Sequence, residues 1–553
     1  MPETSNRVEP PTPDGDWLAA FPPRRRHLLI AAAVVVALYL LGVTNAWWPT
    51  PDSALYQGLG RNVFRGQGYR FNGQVNTLVA PGTPLIFGAL IHVFGEGFWA
   101  RNLFVALCGI GSLWLAYRTI CQLTDRRMAF AAVLATALCY AYYDYSHLIL
   151  TDSPFALLFW CAAYSSVRCA RGSLWWVVPA ALASAAAVLV RAPGLVALGA
   201  LAVGIVLEAA PSARLRRRAV PGGAVLGAAV LTGAGLYLLA RSVAADSATY
   251  VGKYLTDPAA GLWFRLRELV LGLANLPETV AQMTLSQGGR VMTVVGVLLL
   301  IPVVVGMVRL WRRGRRLAPT AIVLLVVGLA FGTRGRAVRP RYLMPVHPLL
   351  LWLLFDGVCW IVREVSRRVK LALRPWGYLL AATVAVTVVV AVNAPKVLRS
   401  AAYYSVCGHL GRYHEVIEDG KYADLRPTAA FLDKAFGPEL PVAVREDRVS
   451  MLHFLGGCRT VPFKKVDLWN PWSAEQAERI YEDLRTRPEL AGIVHDEGDL
   501  DERFARRLAE LLEAAPTLET VFRGKHTKVY RLRGPLPPAS RPSSRPRGRR
   551  PQP

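Results

Sequence analysis

The chain has 553 residues, 53% of them apolar and 18% charged, against roughly 25% charged in an average globular domain. Mean hydropathy is +0.31, and the apolar residues gather in blocks of about 16–22 separated by Arg-rich stretches, which excludes a soluble enzyme, a disordered chain, a fibrous repeat and an outer-membrane barrel. Lys and Arg number 64 against 38 Asp and Glu, net +26, but the basic clusters lie between apolar blocks and read as topology signals and contacts to anionic membrane lipids, not as a nucleic-acid surface. The predicted fold class is a polytopic α-helical membrane protein. The eight Cys include no CxxC.

Residues 1–26 read as a disordered cytoplasmic segment. Spans follow at 27–47, 98–121, 128–143, 153–169, 174–190, 193–208, 220–240, 291–310, 319–333, 342–362 and 375–393. The first block is long for the ~7–15-residue core of a signal peptide, and Thr44-Asn45-Ala46 is a poor cleavage site. Arg24 to Arg26 precede the first span, which places the N-terminus inside. Alternation then puts Asp125-Arg126-Arg127, Arg171, Arg214 to Arg218, Arg312 to Arg316 and Arg363 to Arg374 in cytoplasmic loops. Residues 48–97, 144–152, 241–290, 334–341 and the chain after 393 fall outside. The block 81–95 holds two Pro and three Gly; a span there would flip every later basic loop, so it reads as a re-entrant or interfacial helix. The loop 334–341, RGRAVRPR, exports Arg334, Arg336, Arg339 and Arg341 against the charge rule. An anionic partner outside and lipid headgroup contact both account for it.

Two carboxylates stand at outer helix mouths. Asp52 follows the first span in WWPTPDSALYQGLGRNVFRGQGY. Trp47 and Trp48 mark the membrane interface, and Ala54, Leu55, Leu59 and Val63 form an apolar stripe on a helix along the membrane surface. Asp52 lies near that helix's N-terminus, where the dipole favours negative charge, or is a plain N-cap. Asp152, in SHLILTDSPFALLFW, opens a span, again as an N-cap or a functional group. As a pair they are able to activate a hydroxyl or to hold a divalent cation, Mg, Mn or Zn. Asp144 and His147 share the short loop before Asp152, His147 being a candidate substrate contact.

PDSALYQGLGRNVFRGQGY resembles the first outer loop of the GT-C integral-membrane glycosyltransferases, which include protein O-mannosyltransferases and lipid A aminoarabinose transferases. Asp52, Tyr56, Gly66, Gly68 and Tyr69 fit that pattern. APGTPLIFGAL, LTDSPFALLFW, VRAPGL and RYLMPVHPLL are similar to its later elements, in order, over residues 27–395. The resemblance implies sugar transfer from a polyprenyl-phosphate donor to a glycan, lipid or protein acceptor at the outer face. It implies Asp52 as catalytic base and Asp152 as a catalytic residue that positions the acceptor or helps bind metal. It makes Tyr56 and Tyr69 substrate contacts. Arg341, with Arg339, Arg191 and Tyr342, is implied to bind the donor phosphate, because guanidinium matches phosphate bidentately. No dedicated metal cluster and no acceptor signature is present, so metal use and acceptor class stay open.

After residue 395 the apolar runs shorten. Strands are predicted at 441–446, 459–465 and 490–496, helices at 426–436, 473–485 and 501–514, and a hairpin at 520–534 with Gly524 in its turn. The segment 396–534 reads as a small extracytoplasmic α/β domain, followed by a disordered basic tail at 535–553. Cys407 and Cys458 would pair as a disulfide in an oxidising space. His409, His414 and His453 are too irregularly spaced for a metal site and read as surface residues. High Ala, Arg and Gly usage suggests a bacterial inner membrane.

Two other readings compete. A transporter or flippase of a lipid-linked anion would show inverted repeats and buried mid-span charges; the sequence has no internal repeat, and Asp356 is its one clear mid-span carboxylate. A polymerase or ligase of lipid-linked glycans would place similar chemistry at the same face.

Overall fold

A computed structural model describes residues 25–536 except 73, 78, 172, 192–193, 209–215, 244–261, 287–288, 333–338, 370–374, 410–423, 464–473 and 497–501. The expectations for the first 24 residues, the final tail, Arg334 and Arg336 lie outside the described residues. The chain divides into two compact units.

The first unit comprises residues 1–45, 77–86 and 93–409. Its helices are α1 (Arg25–Leu41), the start of α3 (Gly82–Phe94), α4 (Trp99–Leu123), α5 (Arg126–Ala137), α6 (Tyr140–Tyr145), α7 (Asp152–Arg171), α8 (Val177–Val190), α9 (Gly194–Leu207) and α10 (Arg216–Val243). They continue as α11 (Leu262–Leu285), α12 (Arg290–Arg312), α13 (Leu317–Gly332), α14 (Pro340–Leu343), α15 (His347–Arg368) and α16 (Pro375–His409). Among the described residues five segments are long and apolar enough to cross a membrane: Trp99–Leu123, Ala219–Leu239, Val291–Arg312, Pro340–Arg368 and Thr383–Tyr403. Apolar stripes left open on these helices, such as Leu231 at 75% exposure and Val291 at 71%, suit acyl chains rather than water. The chain is an integral membrane protein.

Inside the bundle Phe155, Phe159, Trp160, Leu201 and Trp352 form part of one core. Backbone comes close where side chains vanish: a Cβ at Gly357 would collide with the Pro302 carbonyl, and one at Gly306 with the Leu353 carbonyl. That pair of glycines sets the crossing of α12 and α15. Ser112 and Thr119 return their hydroxyls to carbonyls of their own helix, Gly109 and Leu115, at 2.7 Å, which satisfies them within apolar surroundings.

Several spans differ from expectation. The first helix stops at Leu41, and Asn102 donates to the Thr44 carbonyl at 2.8 Å beyond it. The span expected at 128–143 breaks at Cys139 into α5 and α6. The outer loop expected at 241–290 contains α11. Arg265, Arg267, Glu268 and Glu278 interrupt its apolar run, so hydropathy misses a helix that forms a hairpin with α12, the Pro277 carbonyl lying where a Gly296 Cβ would stand. The last span continues past 393 to His409. Asp356 is no lone mid-span charge: Arg309 on α12 holds it at 3.0 Å.

The second unit comprises residues 46–76, 87–92 and 410–553. Its helices are α2 (Pro51–Phe64), α17 (Leu425–Phe436), α18 (Glu446–Gly456), α19 (Ala474–Arg485) and α20 (Glu502–Glu513). A hairpin joins β1 (Arg70–Phe71) to β2 (Gln74–Val75). The main sheet contains β3 (Val442–Val444), β4 (Thr460–Pro462), β5 (Gly492–Asp496), β6 (Leu518–Arg523) and β7 (Thr527–Leu532), in the order β4-β3-β5-β7-β6. β3 runs parallel to β4 and β5, whereas β5, β7 and β6 are antiparallel. α19 and α20 bury Ile480, Tyr481, Leu508 and Leu512 against Ile493 and Tyr530.

Residues 46–76 of the first loop fall in this unit. Ala54 and Leu59 of the α2 stripe are fully buried, and α2 packs on α18. Arg61 lies 4.7 Å from the Phe454 ring centre and donates to the Phe454 carbonyl at 3.0 Å. Trp47 is also buried, edge-on to Phe454 at 5.3 Å; only Trp48 is open as an interface marker. Cys458 is a free, buried thiol pointing to the Leu452 carbonyl. The expected Cys407–Cys458 disulfide is therefore not formed, and the Cys407 side chain lies outside the described residues.

Candidate active site

The candidate residues fall into two groups, one in each unit. In the second unit, Thr50 caps α2: its hydroxyl accepts from the Ser53 N–H at 3.0 Å, and the Ser53 hydroxyl accepts from the Thr50 N–H at 3.1 Å. Trp47 donates its indole N–H to the same Ser53 oxygen at 2.9 Å. This capping box starts the helix, so Asp52 is not the cap. It stands in the first turn, partly buried, and Tyr56 follows one turn on along the same face. Gly66 and Gly68 both have φ +76°, a left-handed conformation that explains why the sequence reads Gly-x-Gly there. The turn delivers Tyr69, whose phenol burial pushes well above its ordinary range.

Asn72 was overlooked in the sequence. Its φ of +53° turns the β1–β2 hairpin, and Asn-Gly is the signal that marked it. It accepts from the Thr460 N–H at 3.1 Å, donates its amide back to the Thr460 carbonyl, and donates its own N–H to His453 Nε2 at 3.0 Å. His453 in turn donates from Nδ1 to the Cys458 carbonyl at 2.7 Å and packs on Phe71. It is a tie within the unit, not a surface histidine.

In the first unit, Asp152 is the first residue of α7 and Arg191 caps the end of α8. The Arg191 guanidinium donates to the Asp152 carboxylate, and the two are 9% and 1% exposed. The same guanidinium lies 4.8 Å from the Tyr342 ring centre, and Arg341 lies 5.3 Å from that ring. Four residues from three distant stretches of sequence thus meet. Tyr145 joins them electrostatically. Burial pushes its phenol up to about 12, Asp152 and Asp144 add to the rise, and Arg341 and Arg191 oppose it. Ser153 donates to the Tyr145 carbonyl at 3.1 Å, fixing α6 against α7. Arg339 is exposed, and its carbonyl accepts the Tyr342 N–H at 2.9 Å.

Asp144 differs from Asp152. No hydrogen bond or ion pair of its carboxylate occurs among the described residues, and burial beside Tyr140, Tyr143 and Tyr145 pushes it up to about 6. His147, expected as a substrate contact, is buried and bonded at both ring nitrogens. Its Nδ1 stands 2.8 Å from the Tyr143 carbonyl and its Nε2 2.9 Å from the Tyr39 carbonyl, so the ring ties α6 to α1. A second buried tie is Asn393 on α16. Its amide donates to the Thr284 carbonyl at 2.8 Å, and its oxygen accepts from the Tyr140 N–H at 3.1 Å and the Ser286 hydroxyl at 2.8 Å. These contacts hold α6 in place.

A divalent cation fits this group poorly. Asp152, one of its two candidate ligands, already carries a guanidinium. Among the described residues no three His, Cys, Asp or Glu side chains gather as a ligand set.

Residues 79–235 match the family model of dolichyl-phosphate-mannose-protein mannosyltransferases. No curated protein matches the chain. Among solved structures it is similar to ArnT from Cupriavidus metallidurans bound to undecaprenyl phosphate, at 16% identity and TM-score 0.55, covering 92% of this chain and 98% of that one. It is also similar to the archaeal oligosaccharyltransferase AglB from Archaeoglobus fulgidus in complex with an inhibitory peptide and a dolichol-phosphate. There the identity is 13% and the TM-score 0.52, over 85% of this chain and 69% of that one. This chain has the fold of the GT-C integral-membrane glycosyltransferases.

Proposed function

We propose that this protein transfers a sugar from a polyprenyl-phosphate donor to an acceptor hydroxyl at the outer face of a bacterial inner membrane. The observation that carries the reading is the meeting of Arg191 and Arg341 on Tyr342 beside Asp152. Two guanidiniums at helix ends suit a phosphate leaving group whose negative charge grows as the sugar departs. The ligands of the two similar structures, undecaprenyl phosphate and a dolichol-phosphate, support that donor class.

In this mechanism Asp52 takes the proton from the acceptor hydroxyl as its oxygen attacks the anomeric carbon. The bond from that carbon to the phosphate oxygen breaks, and Arg341 and Arg191 stabilise the freed lipid phosphate. Asp152 orients Arg191 through their ion pair, and Tyr342 holds both guanidiniums in place by cation–π contact. Tyr56 and Tyr69 line the path of the sugar or acceptor. The guanidiniums supply the neutralising charge, so no step uses a metal.

A second assignment of the base rests on Asp144. Its carboxyl is raised to about 6, close to what a general base needs near neutral pH, and it acts on the same tyrosine as Arg341 and Arg191. The test is turnover of a panel of radiolabelled polyprenyl-phosphate sugars by purified protein in nanodiscs, with membrane extract as acceptor source. Transfer or donor hydrolysis lost in Arg341→Gln supports the reading. Movement of intact lipid-linked substrate across the bilayer without turnover replaces it with the flippase reading.

A further inference from the structure

The α4–α7 pair ends, away from Asp152, in a cavity that the proposed reaction leaves unused. α7 runs 20 residues from Asp152 to Arg171, about 30 Å of helix. The cavity there measures about 550 Å³, and its lining includes Arg118, Arg126, Arg168 and Arg171 with Tyr164 and Trp176.

The aromatic rings organise the arginines. Arg118 lies 5.5 Å from the Trp114 ring and 6.0 Å from that of Tyr164, and Arg168 lies 5.4 Å from Trp176. Tyr164 and Trp176 meet edge to face at 5.7 Å. Arg171 donates to the carbonyl of Gln122, which also lines the cavity. The neighbouring carboxylates have other work. Asp125 caps α5, accepting from the Arg127 and Met128 N–H groups at 2.9 Å. Glu208, which attracts Arg171, accepts from the Leu317 N–H at 2.7 Å, while Arg315 repels Arg171. Among the described residues none of the four lining arginines is in an ion pair. Four guanidiniums around one cavity repel each other, and an anion held among them relieves that repulsion.

The rim indicates where the anion comes from. Leu174 and Trp175, in the turn before α8, are 56% and 83% exposed, and exposed Trp at the ends of apolar helices sits at headgroup depth. Basic pockets between membrane helices take phosphate headgroups. We propose that this cavity is a phosphate site, separate from the candidate active site, and that it holds the headgroup of an anionic membrane phospholipid.

The test uses the full chain in detergent, titrated with phosphatidylglycerol, phosphatidylcholine or inorganic phosphate and read by native mass spectrometry. Wild type retains phosphatidylglycerol in preference to phosphatidylcholine. Arg118→Gln/Arg168→Gln weakens that retention by about tenfold or more, the scale of one lost charge-assisted hydrogen bond. Arg506→Gln/Arg523→Gln, which removes two exposed charges from the second unit, leaves it unchanged. Equal losses in both variants would reduce the effect to net charge and overturn the site. Displacement of the lipid by inorganic phosphate alone would overturn the lipid as source. Should the Gln variant fail to fold, Arg118→Lys/Arg168→Lys keeps both charges and loses the forked geometry; weaker retention supports the site, and unchanged retention overturns it.

Discussion

The Arg191 guanidinium at the end of α8 is bound to the Asp152 carboxylate at the start of α7, and both side chains are buried. Removing one partner leaves the other charge buried and unpaired, which costs about 3–5 kcal/mol. Asp152→Asn and Arg191→Gln are each expected to lower the thermal midpoint in detergent. The double variant Asp152→Leu/Arg191→Met is expected to lose less stability than the sum of the two while remaining inactive. Additive losses would place the two groups out of contact.

Asp144 gives the fold a pH dependence of known sign. A carboxyl whose folded pKa lies above its unfolded value binds its proton more tightly when folded. The stability it contributes is complete below about pH 4 and is lost as pH rises through about 6. Asp144→Asn is therefore expected to be more stable than wild type above about pH 6, by on the order of 2 kcal/mol, with a flatter profile of thermal midpoint against pH.

In the second unit, His453 Nε2 accepts the Asn72 N–H, which requires the neutral ring, and burial lowers its pKa. A depressed histidine contributes stability that is present above about pH 6.5 and is lost as pH falls below it. Hydrogen exchange of the β1–β2 hairpin is expected to speed up below that pH in wild type. In His453→Gln it should be fast at all pH values.

Asn393 is expected to be intolerant of apolar replacement. Asn393→Leu leaves the Tyr140 N–H and the Thr284 carbonyl without that partner, at about 1–3 kcal/mol for each buried polar group. The loosened α6 should lower transfer activity as well as the thermal midpoint. Unchanged activity with a lowered midpoint would separate α6 from the chemistry.

Much of this architecture was legible in the sequence because its signals are local. In the α/β region β3 to β7 and the helices α17, α19 and α20 fall within a few residues of their expected places, since alternation and amphipathic spacing are read within a dozen residues, whereas α18 has no counterpart among the expected helices. Arg191, Asp152, Arg341 and Tyr342 were each singled out, and the fold brings all four together. What failed depended on partners far along the chain. α11 was missed because charges interrupt its apolar run although the helix still packs on α12. The α2 stripe looked like a membrane-facing surface because α18, which covers it, lies some 390 residues away (Arg61 to Phe454 is one such tie). The disulfide failed because even cysteine counting carries no geometry. Asn72 and Asn393 were readable in principle: one opens an Asn-Gly turn, and the other is a lone amide at the end of an apolar run.

The most direct test of lipid-phosphate sugar transfer with Asp52 as base is single-turnover transfer in nanodiscs, using the donor that wild type turns over. Wild type, Asp52→Asn and Asp144→Asn would be compared at equal folded concentration. The account predicts a loss of about 10²–10⁴-fold in the chemical step for Asp52→Asn, the usual contribution of a general base, with donor binding retained. Full transfer by Asp52→Asn would contradict it, and a loss confined to Asp144→Asn would move the base to α6.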